Sequence, residues 1–261
     1  MITDRRAMVW GVLLVALTLL VSAQAAGGSP GAKGADLQRE HMVCPGEEVA
    51  PAEVAALAQA EAAVPFPMSE TFEGTWPGAW ILRDSSTGDG GEFLMGKRDC
   101  HPHSGSYAGW SVGGGAQGVN LTCEGTYPNN AKSWAIYGPF SLAGVSSASL
   151  TFYLYGQAEG GENCPYDYLF VGSSIDGTHF AGGKYCGNWT SGPDGNGYYR
   201  RTLDLSDRLG QAQVWIAFAF ISDGSYAYNG FHVDDITLQI PKRAFLPLIQ
   251  KNQPAPVGMP D

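Results

Sequence analysis

Between residues 66 and 240, apolar and polar positions alternate with a period of two in one stretch after another. Leu150, Phe152 and Leu154 alternate with Thr151, Tyr153 and Tyr155. Tyr166, Tyr168 and Phe170 alternate with Asp167, Leu169 and Val171. Trp134 and Ile136 alternate with Ala135 and Tyr137. This is the signature of strands that present one face to a core. Val214 to Ile221 is apolar at every position, which predicts a central strand covered on both faces. Phe231 to Ile240 carries Phe231 and Val233 on one parity and Ile236, Leu238 and Ile240 on the other. That change of phase predicts a bulge at Asp234-Asp235. Turn signals separate the stretches: Gly138-Pro139, Asp176-Gly177, Pro193-Asp194-Gly195 and Asp223-Gly224. No amphipathic helix of ten or more residues interrupts them. The pattern predicts an all-β fold, two antiparallel sheets packed face to face.

The flanks read differently. Arg5 and Arg6 precede an apolar run from Met8 to Val21, and Ala23-Gln24-Ala25 is a small-x-small cleavage site. Residues 1–25 are therefore expected to be a secretory signal, cleaved before Ala26. The run is short for a membrane span, so no stable span is expected in the mature chain. Residues 26–65 read as a leader: a Gly/Ala/Ser/Pro stretch from Ala26 to Lys33, then a short Ala-rich helix from Pro51 to Ala63 with Pro at its first position. That helix has few bulky residues to anchor it and is expected to be marginal. Residues 241–261 form a Pro-rich tail with an apolar patch from Ala244 to Ile249. The middle zone holds all but two of the aromatics, Trp10 and Phe245, which puts the core there.

Composition narrows the function. The formal net charge is −10, and removal of the signal makes the exported chain one charge more negative. That balance excludes a nucleic-acid binder, which needs a basic patch for phosphates. The expected location is secreted or cell-surface. In that compartment the five cysteines favour disulfides. The expected pairs are Cys100 with Cys123 and Cys164 with Cys186, each closing a short local loop, with Cys44 left over. The sequence alone leaves other connectivities open.

Several stretches recur in a telling order: Phe72-Glu73-Gly74, Pro77-Gly78-Ala79-Trp80, His103-Ser104-Gly105-Ser106-Tyr107-Ala108, Tyr137-Gly138-Pro139-Phe140, Leu154-Tyr155-Gly156, Tyr168-Leu169-Phe170-Val171, and Gly230-Phe231-His232-Val233-Asp234-Asp235-Ile236. This order resembles the MAM-type jelly roll. It is more similar still to the bacterial jelly-roll modules that follow the catalytic domain in immune inhibitor A-type metallopeptidases. The resemblance covers about 69–240, and the peptidase motif His-Glu-x-x-His is absent from the chain. It implies a secreted, non-catalytic adhesion or accessory module whose partner is an extracellular protein or a glycan. It also implies that the terminal strands pair, which brings Glu73 near Asp234 and Asp235. Carboxylates with backbone carbonyls suit a hard cation. A structural Ca²⁺ held by Glu73 and Asp235, with Asp234 as a further ligand, is the expectation. Its alternative is an exposed or internally hydrogen-bonded acidic edge.

Other motifs point elsewhere. Gly109-Trp110-Ser111-Val112-Gly113 matches the Gly-x-Ser-x-Gly elbow of serine hydrolases. That elbow needs a helix after the serine, and the glycines at 114, 115 and 118 are a poor start for one. Cys100, His101, His103 and Cys123 have zinc-type side chains, but export favours a disulfide. Trp189, Tyr198, Tyr199, Tyr226 and Tyr228 fall in or beside predicted loops, where aromatic faces stack on ligands, so glycan binding there is the second functional expectation. Asn120-Leu121-Thr122 and Asn188-Trp189-Thr190 match the glycosylation pattern and are given no role.

Overall fold

The computed structural model describes residues 42–240; the expected signal, the first part of the leader and the tail lie outside them. The described chain folds as two packed antiparallel sheets. One has six strands: β1 (Met42–Val49), β3 (Trp80–Asp84), β6 (Lys132–Phe140), β8 (Tyr168–Ser174), β9 (His179–Cys186) and β12 (Val214–Ile221), in the order β1-β9-β8-β12-β6-β3. The other runs β10-β7-β13-β5-β4, from β4 (Leu94–Arg98), β5 (Ala108–Gly114), β7 (Ser149–Gln157), β10 (Asn188–Trp189) and β13 (Gly230–Gln239). Two further strands complete it: β11 (Tyr199–Asp204) pairs with β7, and β2 (Met68–Glu70) pairs with β13.

Period two sorts the side chains between two cores. Leu150, Phe152 and Leu154 enter the cluster between the sheets, with Phe231, Val233, Ile236 and Leu238 from β13. The central strand β12 feeds both layers. Val214, Ile216, Phe218 and Phe220 point between the sheets, whereas Trp215, Ala217 and Ala219 point outward. The outward set joins a second cluster with Trp134 and Ile136 of β6, Phe170 of β8, and helix α1 (Ala52–Ala60), which buries Val54, Ala55 and Ala58. The helix is short of bulk but is pinned from outside itself. The Trp215 indole donates to the Ala58 carbonyl at 3.0 Å, and Gln59 Nε2 donates to the Asp176 carbonyl at 2.8 Å.

The sandwich begins earlier than the sequence pattern placed it. Met42–Val49 was expected in the leader, with Cys44 in poorly structured chain. It forms the edge strand β1, in register with β9 from Met42↔Cys186 to Val49↔His179. Pro45 and Gly46 hide it from a pattern search, but an edge strand tolerates both residues. Cys100–Cys123 and Cys164–Cys186 are disulfide-bonded, and Cys44 is free.

The bulge in β13 falls where the change of phase put it. Asp234 pairs with Tyr153 and Thr237 with Thr151, so β13 carries one residue more than β7 between these pairs. Asp235 absorbs the excess in the left-handed region, at φ 44°. Without it, Ile236 and Leu238 would turn out of the core, because a one-residue slip flips every side chain. Deleting Asp235 should therefore abolish the cooperative thermal transition and the near-UV circular dichroism. Asp235→Gly suits the positive φ and keeps the register. Its loss of the Asp235 side-chain bonds, worth about 1 kcal/mol each, should lower the midpoint by roughly 2–4 °C per bond. A deletion variant that melts like wild type would refute the bulge.

Candidate functional site

The three acids expected to bind metal converge on one loop, from two sides. The segment His101–Tyr107 lies over the outer face of the seven-stranded sheet, where His101 and His103 stack on Tyr155 and Tyr153 at 4.7 and 3.8 Å. Asp234 Oδ2 accepts the backbone N–H groups of His103 and Ser104 at 2.9 and 3.1 Å, and its Oδ1 accepts that of Asp235 at 2.7 Å. Asp235 contacts His103 Nδ1 at 2.7 Å and accepts the Ser104 hydroxyl at 2.9 Å. Glu73 lies just beyond β2 rather than within the first strand, and is exposed. Its Oε1 accepts the amides of Ser106 and Tyr107 at 2.8 and 2.9 Å. Terminal strands β2 and β13 do pair, through Ile236↔Glu70. Asp234 is fully buried, by this loop rather than by the core. Burial pushes its carboxyl up to about 6, against the pull of the amides.

Beneath the same loop, His232 is fully buried, and neither ring nitrogen has a hydrogen-bond partner. It stacks on Trp110 at 5.3 Å and meets the edge of His101 at 4.9 Å. Burial holds it well below the usual histidine value, with His101 and Arg98 adding to the shift. It is a neutral ring in an aromatic layer.

The elbow motif is a strand. Ser111 sits inside β5, is 1% exposed, and its Oγ accepts the Phe231 amide at 3.3 Å. A nucleophile needs an open turn and an adjacent base; Ser111 is sealed in mid-ladder. The zinc set fails as well, because both of its sulfurs are in a disulfide.

The five candidate aromatics are not one surface. Trp189 is fully buried in the inter-sheet core, and its indole donates to the Cys186 carbonyl at 2.9 Å. Tyr198 is fully buried, with its hydroxyl on the His101 carbonyl. These two are corrected: turn-flanked positions looked like loop tips, but Trp189 lies in edge strand β10 with its ring in the core, and Tyr198 lies against His101 and His103. Tyr199 and Tyr228 pack against the core, and Tyr226 is exposed.

Sequence reasoning missed two features. One is a buried acidic cluster in which Glu159, Asp167 and Asp223 bring oxygens within 4.8 Å of one another. The Tyr127 hydroxyl donates to Asp167 at 2.6 Å, as does the Asp223 amide. The other is a groove of about 390 Å³ between β3 and β4, the strands that end the two sheets on one side. Trp76, Leu82, Leu94, Tyr107 and Val119 give it apolar walls, and Lys97 is its charged side chain. The Trp76 indole is fixed by donating to the Met95 carbonyl at 3.1 Å. Lys97 Nζ donates to the carbonyls of Glu73 and Gly74 at 3.0 and 2.9 Å and lies 4.2 Å over the Tyr107 ring. No period marks either residue: Tyr107 stands just before β5, and Trp76 stands in a turn.

No family model and no curated protein matches the chain. Among solved structures, the K1 cleaved adhesin domain of Lys-gingipain from Porphyromonas gingivalis W83 is 18% identical, at a TM-score of 0.45. The match covers 68% of this chain and 100% of that one. The CBM22-1 xylan-binding domain from Paenibacillus barcinonensis Xyn10C is 12% identical, at a TM-score of 0.39, over 70% of this chain and 100% of that one. A family 11 carbohydrate-binding module from Clostridium thermocellum is 13% identical, at a TM-score of 0.38, over 66% and 94%.

The loop clamp carries a pH signature. Asp234 is protonated more readily in the folded chain (about 6) than at its ordinary 3.8. Its contribution to stability is thus full below the unfolded value and is lost as pH rises through the folded one. Asp234→Asn removes this titration and keeps a carbonyl for the His103 and Ser104 amides. The melting point of the variant minus that of wild type should therefore rise from pH 4 to pH 7. A difference that stays constant across that window would overturn the assignment.

Proposed function

We propose that the chain is a secreted, non-catalytic binding module of the adhesion or accessory type, with the groove between β3 and β4 as its contact surface. The observation that carries this reading is the rigid presentation of an aromatic pair. Trp76 is fixed through its indole N–H, and Tyr107 is fixed through its amide on Glu73, beside Lys97. Tyr107 is 37% exposed, and concave aromatic surfaces of this size are typical recognition sites. The two disulfides are consistent with an extracellular location. Among the described residues no helix is long and apolar enough to cross a membrane. Kinship with the accessory modules of immune inhibitor A-type peptidases is part of the proposal and rests on motif order. Glycan binding is the form of recognition that the groove suits, in place of Trp189 and Tyr198.

Affinity electrophoresis of the full chain through gels containing a panel of polysaccharides tests the reading. Retardation by at least one of them is expected, with Tyr107→Ala losing it at an unchanged melting point. Retardation by none, or equal retardation of the variant, would overturn it.

The proposal keeps a structural Ca²⁺ at Glu73, Asp234 and Asp235 only on the condition that their oxygens, which do not all lie within 4.8 Å of one another, close around the ion. The three acids make no ion pair with Lys or Arg among the described residues, and Asp234 is fully buried. Backbone amides alone meet the buried Asp234 carboxylate, and a cation would neutralise its charge. Each donor already on these oxygens leaves lone pairs for a metal. Wild type should then melt higher in calcium than in chelator, and Asp234→Asn should not. Equal midpoints, with no heat of binding in calorimetry, would remove the ion.

A further inference from the structure

We infer that the groove between β3 and β4 selects an acidic sugar, a hexuronate residue within a glycan, with Lys97 receiving its carboxylate. The inference rests on the groove being the binding surface and names what it takes. The walls contributed by Trp76, Leu82, Leu94 and Tyr107 match the C–H face of a pyranose ring. The volume of about 390 Å³ suits one or two such rings. Charge then narrows the class. The chain has 25 acidic against 15 basic residues, yet no carboxylate lines this groove, and its one charged side chain is a cation.

Lys97 is also placed to act on a ligand. Among the described residues it makes no ion pair with a carboxylate. Two of its three N–H groups are held by the Glu73 and Gly74 carbonyls, which aim the ammonium and leave one donor for an incoming anion. The Tyr107 ring beneath it joins the cation to the stacking face. A sugar fits better than an acidic peptide strand. A strand added to the β4 edge would need its main-chain acceptors, and the Met95 carbonyl is already taken by the Trp76 indole.

Calorimetric titration of the full chain tests the inference, with four probes: oligogalacturonate, its methyl ester, a hyaluronan oligosaccharide and a glutamate-rich peptide. Oligogalacturonate or hyaluronan should bind about tenfold more tightly than the methyl ester, and the advantage should shrink with added salt. The stronger of the two identifies the uronate source. Lys97→Gln should erase the advantage, and Lys97→Arg should restore it, which separates charge from folding. Equal binding of acid and ester would overturn the acidic class while leaving the binding module intact. Tighter binding of the peptide than of either uronate would overturn it in favour of a protein partner. No binding by any probe, together with no retardation on any polysaccharide gel, would remove both readings.

Discussion

One extra residue in β13 sets the form of the molecule. The last strand must serve the core before and after Asp235, and a regular ladder would not allow it. The bulge returns Ile236 and Leu238 to the core and leaves Asp234 and Asp235 together on the outer side. From there they capture the backbone of His103 and Ser104 and the His103 ring. The captured loop in turn covers His232 and Trp110 with an aromatic layer. A local backbone irregularity thus organises the outer face of a whole sheet.

Glu73 ties that loop to the groove. Its carboxylate holds the amide of Tyr107, and its carbonyl holds the ammonium of Lys97. The residue expected to bind metal places the two side chains that border the open surface. Burial makes the Asp234 carboxyl easier to protonate, whereas it makes the His232 ring harder to protonate. The two groups respond to acid in opposite directions on one patch.

Much of the fold was legible because burial imposes a period. The double-sided strand β12, the alternation of β7 and the broken phase of β13 all follow from which face meets a core. Both disulfides match the pairs favoured by expected export and short spacing, among connectivities the sequence left open. β1 was illegible because Pro45 and Gly46 mask its alternation and an edge strand does not need it. Trp189 and Tyr198 misled because a turn-rich neighbourhood signals exposure, while Trp189 lies in a two-residue strand too short to show a period and Tyr198 is held by His101, His103 and Tyr155, distant in sequence. Trp76, Lys97 and Tyr107 were missed for the same reason. They come from three separate segments, and the pairing of β4 with β5 and the Trp76 bond to Met95 make them neighbours.

The two faces of β12 differ in size as well as direction. Phe218 and Phe220 set a wide spacing between the sheets, while Ala217 and Ala219 leave a shallow seat on the outside. Beside that seat, α1 lies chiefly against β6, and its Ala55 and Ala58 are buried in one cluster with Trp134 and Ile136. Both alanines are buried, so enlarging either would lift the helix away from the Trp215 indole that fastens it.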